Sequence, residues 1–92
     1  MNQTERRAYE WLLEQGYKAE DITFQSHRSP DFLTADGKGW EVKLARNNVI
    51  AFTDGQVSDA EAHQNCCVLV FSAGKGAPEI IPLPSIQQIV RA

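Results

Sequence analysis

The apolar positions of this chain change period several times along its length, and each change marks an element. Ala8, Tyr9, Leu12 and Leu13 recur at helical spacing, which predicts a helix from about Thr4 to Gln15, ended by Gly16 in the usual C-terminal position. Ile22 to Ser26 reads as a first strand. Asp31 to Ala35 and Gly39 to Leu44 read as two more, joined through the turn signal Asp36-Gly37-Lys38. Asn47-Asn48 is a break, and Val49 to Phe52 is a short extended stretch. Thr53 or Asp54 caps a second helix running to about Gln64. Cys67 to Phe71 is a nearly continuous apolar run, the pattern of a central strand buried on both faces. Ala73 to Gly76 is a turn. Ile80 to Leu83 reads as an edge strand because Pro82 cannot donate to a ladder, and Ser85 to Arg91 as a short final helix. The resulting order, α-β-β-β-α-β-β-α, predicts an α/β fold with helices flanking one mixed central sheet.

The hairpin between the second and third strands decides where the charged residues go. Trp40, Val42 and Leu44 share one face of their strand, and Glu41 and Lys43 share the other. A loop with an odd number of residues places Phe32 with the apolar set and sends Asp31 to the side of Glu41 and Lys43. A two-residue loop would put Phe32 opposite Glu41 and separate the carboxylates. The hydrophobic pattern therefore favours the odd loop. With Asp36 to Lys38 as the loop, Ala35 pairs with Gly39, Leu33 with Glu41, Phe32 with Val42 and Asp31 with Lys43.

Composition narrows the setting. The chain has 92 residues, 42% hydrophobic and 23% charged, an ordinary globular balance that fits one domain over residues 1–92. No apolar run approaches the roughly 20 residues that span a bilayer. Met1 to Glu10 is polar and charged, unlike a secretory signal. Cys66 and Cys67 are adjacent, so in a strand they point to opposite faces and are poor disulfide partners. No CxxC or histidine cluster accompanies them to make a zinc site. These features lead us to expect a cytoplasmic protein with reduced thiols. The net charge of −3 argues against a protein that coats nucleic acid by charge alone. It does not exclude an enzyme that meets a phosphodiester at one local site.

Two carboxylates a few ångströms apart repel one another unless a cation lies between them. Oxygen ligands with water select Mg²⁺ or Mn²⁺. A lysine beside such a metal can orient water or offset charge on a pentavalent phosphate. The plain alternative is an exposed hairpin face carrying a cross-strand Asp–Lys pair. The motif stands as Pro30-Asp31, nine residues, then Glu41-Val42-Lys43, preceded by a helix and a strand and followed by a helix. In this layout, from about Thr4 to Phe71, the chain resembles the PD-(D/E)xK nuclease superfamily, which includes restriction endonucleases and Holliday junction resolvases. The resemblance implies a restriction-endonuclease-like core and magnesium-dependent hydrolysis of DNA. It implies that Asp31 and Glu41, with the Val42 carbonyl, bind the metal and that Lys43 is the catalytic lysine.

Other positions carry two readings each. Glu5 sits within the apolar stripe of the first helix, while Glu10 and Glu14 face away. Family members often carry a glutamate there that reaches the metal; a first-turn glutamate boxed with Asn2 accounts for it equally. Many relatives have a glutamine where Gln56 stands, near metal-bound water or a phosphate, but Thr53-Asp54-Gly55-Gln56 also fits a capping box. Arg28, Ser29 and Arg46 flank the catalytic strands as DNA-backbone contacts or as solvated surface. Trp11, off the main stripe, covers the core edge or a subunit contact. The last helix presents Ile86, Ile89 and Val90 on one face, which closes over the chain's own sheet or meets its copy. We expect a homodimer, which would give one active site for each strand of a duplex. The rival class is a non-enzymatic interaction module, or an accessory subunit, that keeps a nuclease-like fold.

Overall fold

In the computed structural model of the chain, residues 1–47, 49–56, 58 and 65–82 are described. Helix α1 spans Gln3–Glu14. Asn2 caps it in a closed box: the Asn2 side chain accepts from Glu5 N–H at 2.7 Å, and Glu5 Oε1 accepts from Asn2 N–H at 2.7 Å. Its other end turns through Gly16, at φ 102, with Gly16 N–H donating to Leu13 O and Tyr17 N–H to Leu12 O. That pair of bonds satisfies carbonyls the helix leaves open, in a conformation that glycine adopts without strain. A single 3-10 turn, Ala19–Asp21, leads into the sheet. No apolar period announced it.

The sheet has five strands in sequential order: β1 (Ile22–Phe24), β2 (Phe32–Thr34), β3 (Gly39–Leu44), β4 (Cys66–Phe71) and β5 (Glu79–Pro82). β1, β2 and β3 form an antiparallel meander, β4 runs parallel to β3, and β5 returns antiparallel to β4. The fold is thus a small α/β arrangement around a mixed sheet. Helix α1 covers one face, where Ala8, Leu12, Phe32, Trp40, Val42, Leu69 and Phe71 form the main core. Trp11 packs edge-on against Trp40 at 5.9 Å, so it closes the border of this core. On the other face, Val68 and Val70 pack with Ala45, Ile50, Phe52 and Ile81. β4 is accordingly buried on both sides, as its continuous apolar run predicts.

The hairpin differs from the expected register by two residues. Phe32 pairs with Trp40 and Leu33 with Gly39, so the loop is Ala35 to Gly37 instead of Asp36 to Lys38. The cause is local. A three-residue hairpin loop needs its last residue in the left-handed region, and that residue is Gly37, at φ 87. The expected register would have put Lys38 there. Asp36 then accepts from the Thr34 hydroxyl at 2.6 Å, and Thr34 accepts the Trp40 indole N–H at 3.0 Å. A slip of two residues keeps every side chain on its face, so the apolar and charged sets stay separated as expected.

Val49 to Phe52 forms no strand; Val49 makes only an isolated bridge to Arg46 across the turn at Asn47. Thr53 caps a helical start at residues 54–56, and Ser58 is helical too. The rest of the expected second helix and the expected helix Ser85 to Arg91 lie outside the described residues. Among the described residues, no helix is long and apolar enough to cross a membrane.

Candidate active site

The paired part of the β2–β3 hairpin ends at Phe32 and Trp40, and Asp31 stands just beyond it. Its side chain continues what the backbone pairing leaves off: Oδ2 accepts the Val42 N–H at 2.9 Å. This fixes the Asp31 carboxylate against β3, beside Glu41. Glu41 is only 1% exposed, in a strand whose neighbour at that position is Val68. Its Oε2 is buried without a hydrogen-bond partner.

Burying two carboxylates together raises the cost of charging them. Desolvation and then the repulsion of Asp31 push Glu41 up to about 8, although Ser29 and Lys43 pull against the rise. Asp31 is also raised, first by desolvation and further by Glu5, with the Val42 N–H opposing. Both shifts favour a proton held by the pair, and Glu41 is the more strongly raised of the two. Cys66, on the same side of the sheet, is pushed up to about 12 by burial and by Glu41, so it is an inert thiol.

Lys43 is on the same face of β3 as Glu41, but its ammonium is not opposite Asp31 as the expected register had it. Lys43 Nζ donates to Gln56 Oε1 at 2.7 Å and lies 4.7 Å from the centre of the Phe52 ring. Gln56 Oε1 also accepts the Thr53 N–H at 3.0 Å, and Gln56 N–H donates to Thr53 Oγ1 at 3.1 Å. The capping box is therefore real, and the same glutamine oxygen reaches the lysine. The capping reading of Gln56 is the one the geometry shows, with the Lys43 contact added to it.

A cavity of about 350 Å³ gathers Glu5, Asp31, Glu41, Val42, Lys43, Arg46 and Gln56. Glu5 closes the helix cap through Oε1, as the capping reading has it, and also lines this cavity. Arg28 and Ser29 line a neighbouring cleft that shares Asp31 and Gln56 with the first. Ser29 also opposes the rise of the Glu41 pKa. Phe52 beneath Lys43 and His27 beside Arg28 were missed as site residues. Phe52 ends an extended stretch with no period of its own, and an isolated histidine in a loop gives no signal.

Among the described residues, no group of three or more His, Cys, Asp or Glu side chains is placed to hold a metal. Asp31 and Glu41 are the carboxylates that could hold one. Such a pair suits Mg²⁺, which binds through one or two carboxylates and keeps several waters. Glu41 Oε2, buried without a hydrogen-bond partner, is an oxygen that could ligate such a cation once the group is deprotonated. No family model, curated protein or solved structure matches this chain.

Proposed function

We propose that this chain is a small metal-dependent deoxyribonuclease with a PD-(D/E)xK-like core. One observation carries the reading: Asp31 and Glu41 are brought together where the hairpin opens, with Glu41 Oε2 buried and unpartnered, and Lys43 follows on the same face of the strand. Asp31 and Glu41, with the Val42 carbonyl, would hold Mg²⁺ or Mn²⁺. When bound, the metal supplies a nucleophilic water at neutral pH and Lewis-acid stabilisation of the phosphoryl oxygens.

The chain's own groups do the rest. Asp31, fixed by the Val42 N–H, keeps its carboxylate in one orientation before a ligand arrives. Glu41 would have to give up its proton to serve as a ligand, so metal loading would draw on the same buried pair. Lys43, steadied by Gln56 and Phe52, places a positive charge beside the carboxylates where negative charge grows on the phosphate. Arg28 and Arg46 are exposed at the margins, where backbone phosphates of DNA would lie.

The test uses linear duplex and single-stranded DNA carrying a fluorophore and a quencher, with Mg²⁺ or Mn²⁺. We expect cleavage by the wild type, a loss of at least about 100-fold in Lys43→Ala, and no calorimetric Mn²⁺ binding in Asp31→Asn. Wild-type protein that neither cuts DNA nor titrates with Mn²⁺ would return the chain to the interaction-module reading.

A further inference from the structure

Glu41 and Lys43 share one face of β3, separated by about 6.6 Å along the strand. That spacing is within the reach of a lysine side chain, and two carboxylates stand at its far end. An ion pair with Glu41 or Asp31 is the plain expectation for such a lysine. The structure shows a different seat. Lys43 Nζ donates to Gln56 Oε1 at 2.7 Å and lies 4.7 Å from the centre of the Phe52 ring. Its charge opposes the rise of the pKa at both carboxylates, but burial wins at each.

The seat is built from groups that carry no charge. Across β3 and β4, Glu41 pairs with Val68 and Lys43 with Val70. Phe52 packs against the cluster that Val68 and Val70 form, so its ring lies against the sheet on the side of the lysine. The ring face carries the negative part of the aromatic quadrupole and attracts an ammonium. Gln56 Oε1 is itself held in place, because it also accepts Thr53 N–H at 3.0 Å. A lysine loses much rotamer freedom when its long stem is fixed. An amide oxygen already oriented by its cap, and a ring already packed on the sheet, need little further ordering to receive it.

Granting the metal-dependent reading, on which this rests, we propose that Phe52 is a positioning residue. Its ring, together with the capped Gln56, holds the Lys43 ammonium off Asp31 and Glu41, so that both carboxylates stay open to a divalent cation. A lysine paired with them would stabilise the metal-free site alone. The state able to bind metal would then be a smaller fraction of the protein, and the apparent affinity would fall by that fraction. The ring therefore acts on the metal site through the lysine, without touching a ligand itself.

The experiment titrates Mn²⁺ by calorimetry into the wild type, Phe52→Leu, Lys43→Met and the double variant, each checked for folding by circular dichroism. Leucine keeps apolar bulk against Val68 and Val70 but removes the ring face. We expect Phe52→Leu to weaken Mn²⁺ binding about fivefold, the scale of one cation–π contact. In the Lys43→Met background the same change should alter the affinity by less than about 1.5-fold, because the coupling runs through the lysine. Phe52→Tyr keeps the ring and should bind as the wild type does. A ring-trifluorinated phenylalanine in place of Phe52 keeps the shape and weakens the negative face, so it should act as leucine does, even where Phe52→Leu fails to fold. Equal losses with and without Lys43 would overturn the inference, because the ring would then act by packing alone. So would full Mn²⁺ affinity in both Phe52→Leu and the fluorinated protein. Either result leaves the metal site standing. A wild type that takes up no Mn²⁺ fails at the metal reading and removes the inference with it.

Discussion

Replacing Glu41 with glutamine should stabilise the metal-free protein, and the gain should grow with pH. Glu41 is 1% exposed, and its group is pushed from an ordinary 4.5 up to about 8, first by burial and then by Asp31. In the unfolded chain it loses its proton near 4.5; in the folded chain it keeps it to about 8. Between those values unfolding releases a proton, so rising pH favours the unfolded state. The contribution is fully present below about pH 4.5 and is lost as pH climbs towards 8. At about 1.36 kcal/mol per pH unit, the wild type loses about 3 kcal/mol by pH 7 and about 5 kcal/mol over the whole span. Against a total of about 5–15 kcal/mol for a domain, that is a large share. Glutamine has the same shape and no proton to lose, and its amide can donate to Asp31. Urea unfolding in EDTA, followed by the fluorescence of Trp11 and Trp40, reads the difference. With a slope of about 1 kcal/mol per molar urea, the midpoint of Glu41→Gln should exceed that of the wild type by roughly 2–3 M at pH 7 and by little at pH 5. Mg²⁺ at pH 8 should raise the wild-type midpoint and leave the variant unchanged. A gap between the two proteins that is constant from pH 5 to 8 would refute the shared buried proton.

Three further outcomes are expected. Thr34→Val strands the Trp40 indole N–H in a site where both residues are 5% exposed, so it should cost about 1–3 kcal/mol in urea unfolding, while Thr34→Ser retains the bond; equal losses in both would count against the network. At pH 8, iodoacetamide should label half-buried Cys67 well before buried Cys66, whose thiol is pushed up to about 12, and equal rates would contradict the described packing. Sedimentation equilibrium at micromolar concentration should give twice the 10.3 kDa chain mass, since a homodimer is proposed; a single species at 10.3 kDa would exclude it.

The helix, the strands and the two faces of the hairpin were legible because each is written in short-range periodicity. Ala8 and Leu12 mark the buried stripe of α1, and Trp40 and Val42 mark the inner face of β3. The register was harder, since alternation fixes only parity. The deciding signal was Gly37, whose positive φ selects the loop Ala35 to Gly37 over its neighbour. The turn Ala19–Asp21 left no pattern because it is held by backbone bonds, Asp21 N–H to Lys18 O and Ala35 N–H to Asp21 O. The direction of Lys43 was not legible either. Phe52 and Gln56 meet its ammonium from a segment that forms no strand, and only tertiary structure brings that segment beneath β3.

Glu41 is where local and global preferences conflict most. It lies in a strand between buried Trp40 and Val42, beside Val68 of β4, and burial leaves one of its oxygens without a partner. Valine or leucine would pack against Val68 without burying an acid, so stability does not explain the carboxylate. The hairpin aggravates the conflict by opening beside it and pinning a second carboxylate there through Val42 N–H. A fold that concentrates such cost usually does so at a functional site. A divalent cation, as proposed, would relieve both parts of it, since it would partner Glu41 Oε2 and offset the repulsion from Asp31. The same cation would also remove the pH penalty on stability, so metal affinity should rise with pH up to about 8, the value at which Glu41 surrenders its proton unaided. On this proposal metal loading and folding would be linked through one buried proton, which ties the energetic oddity of β3 to the chemistry proposed for it.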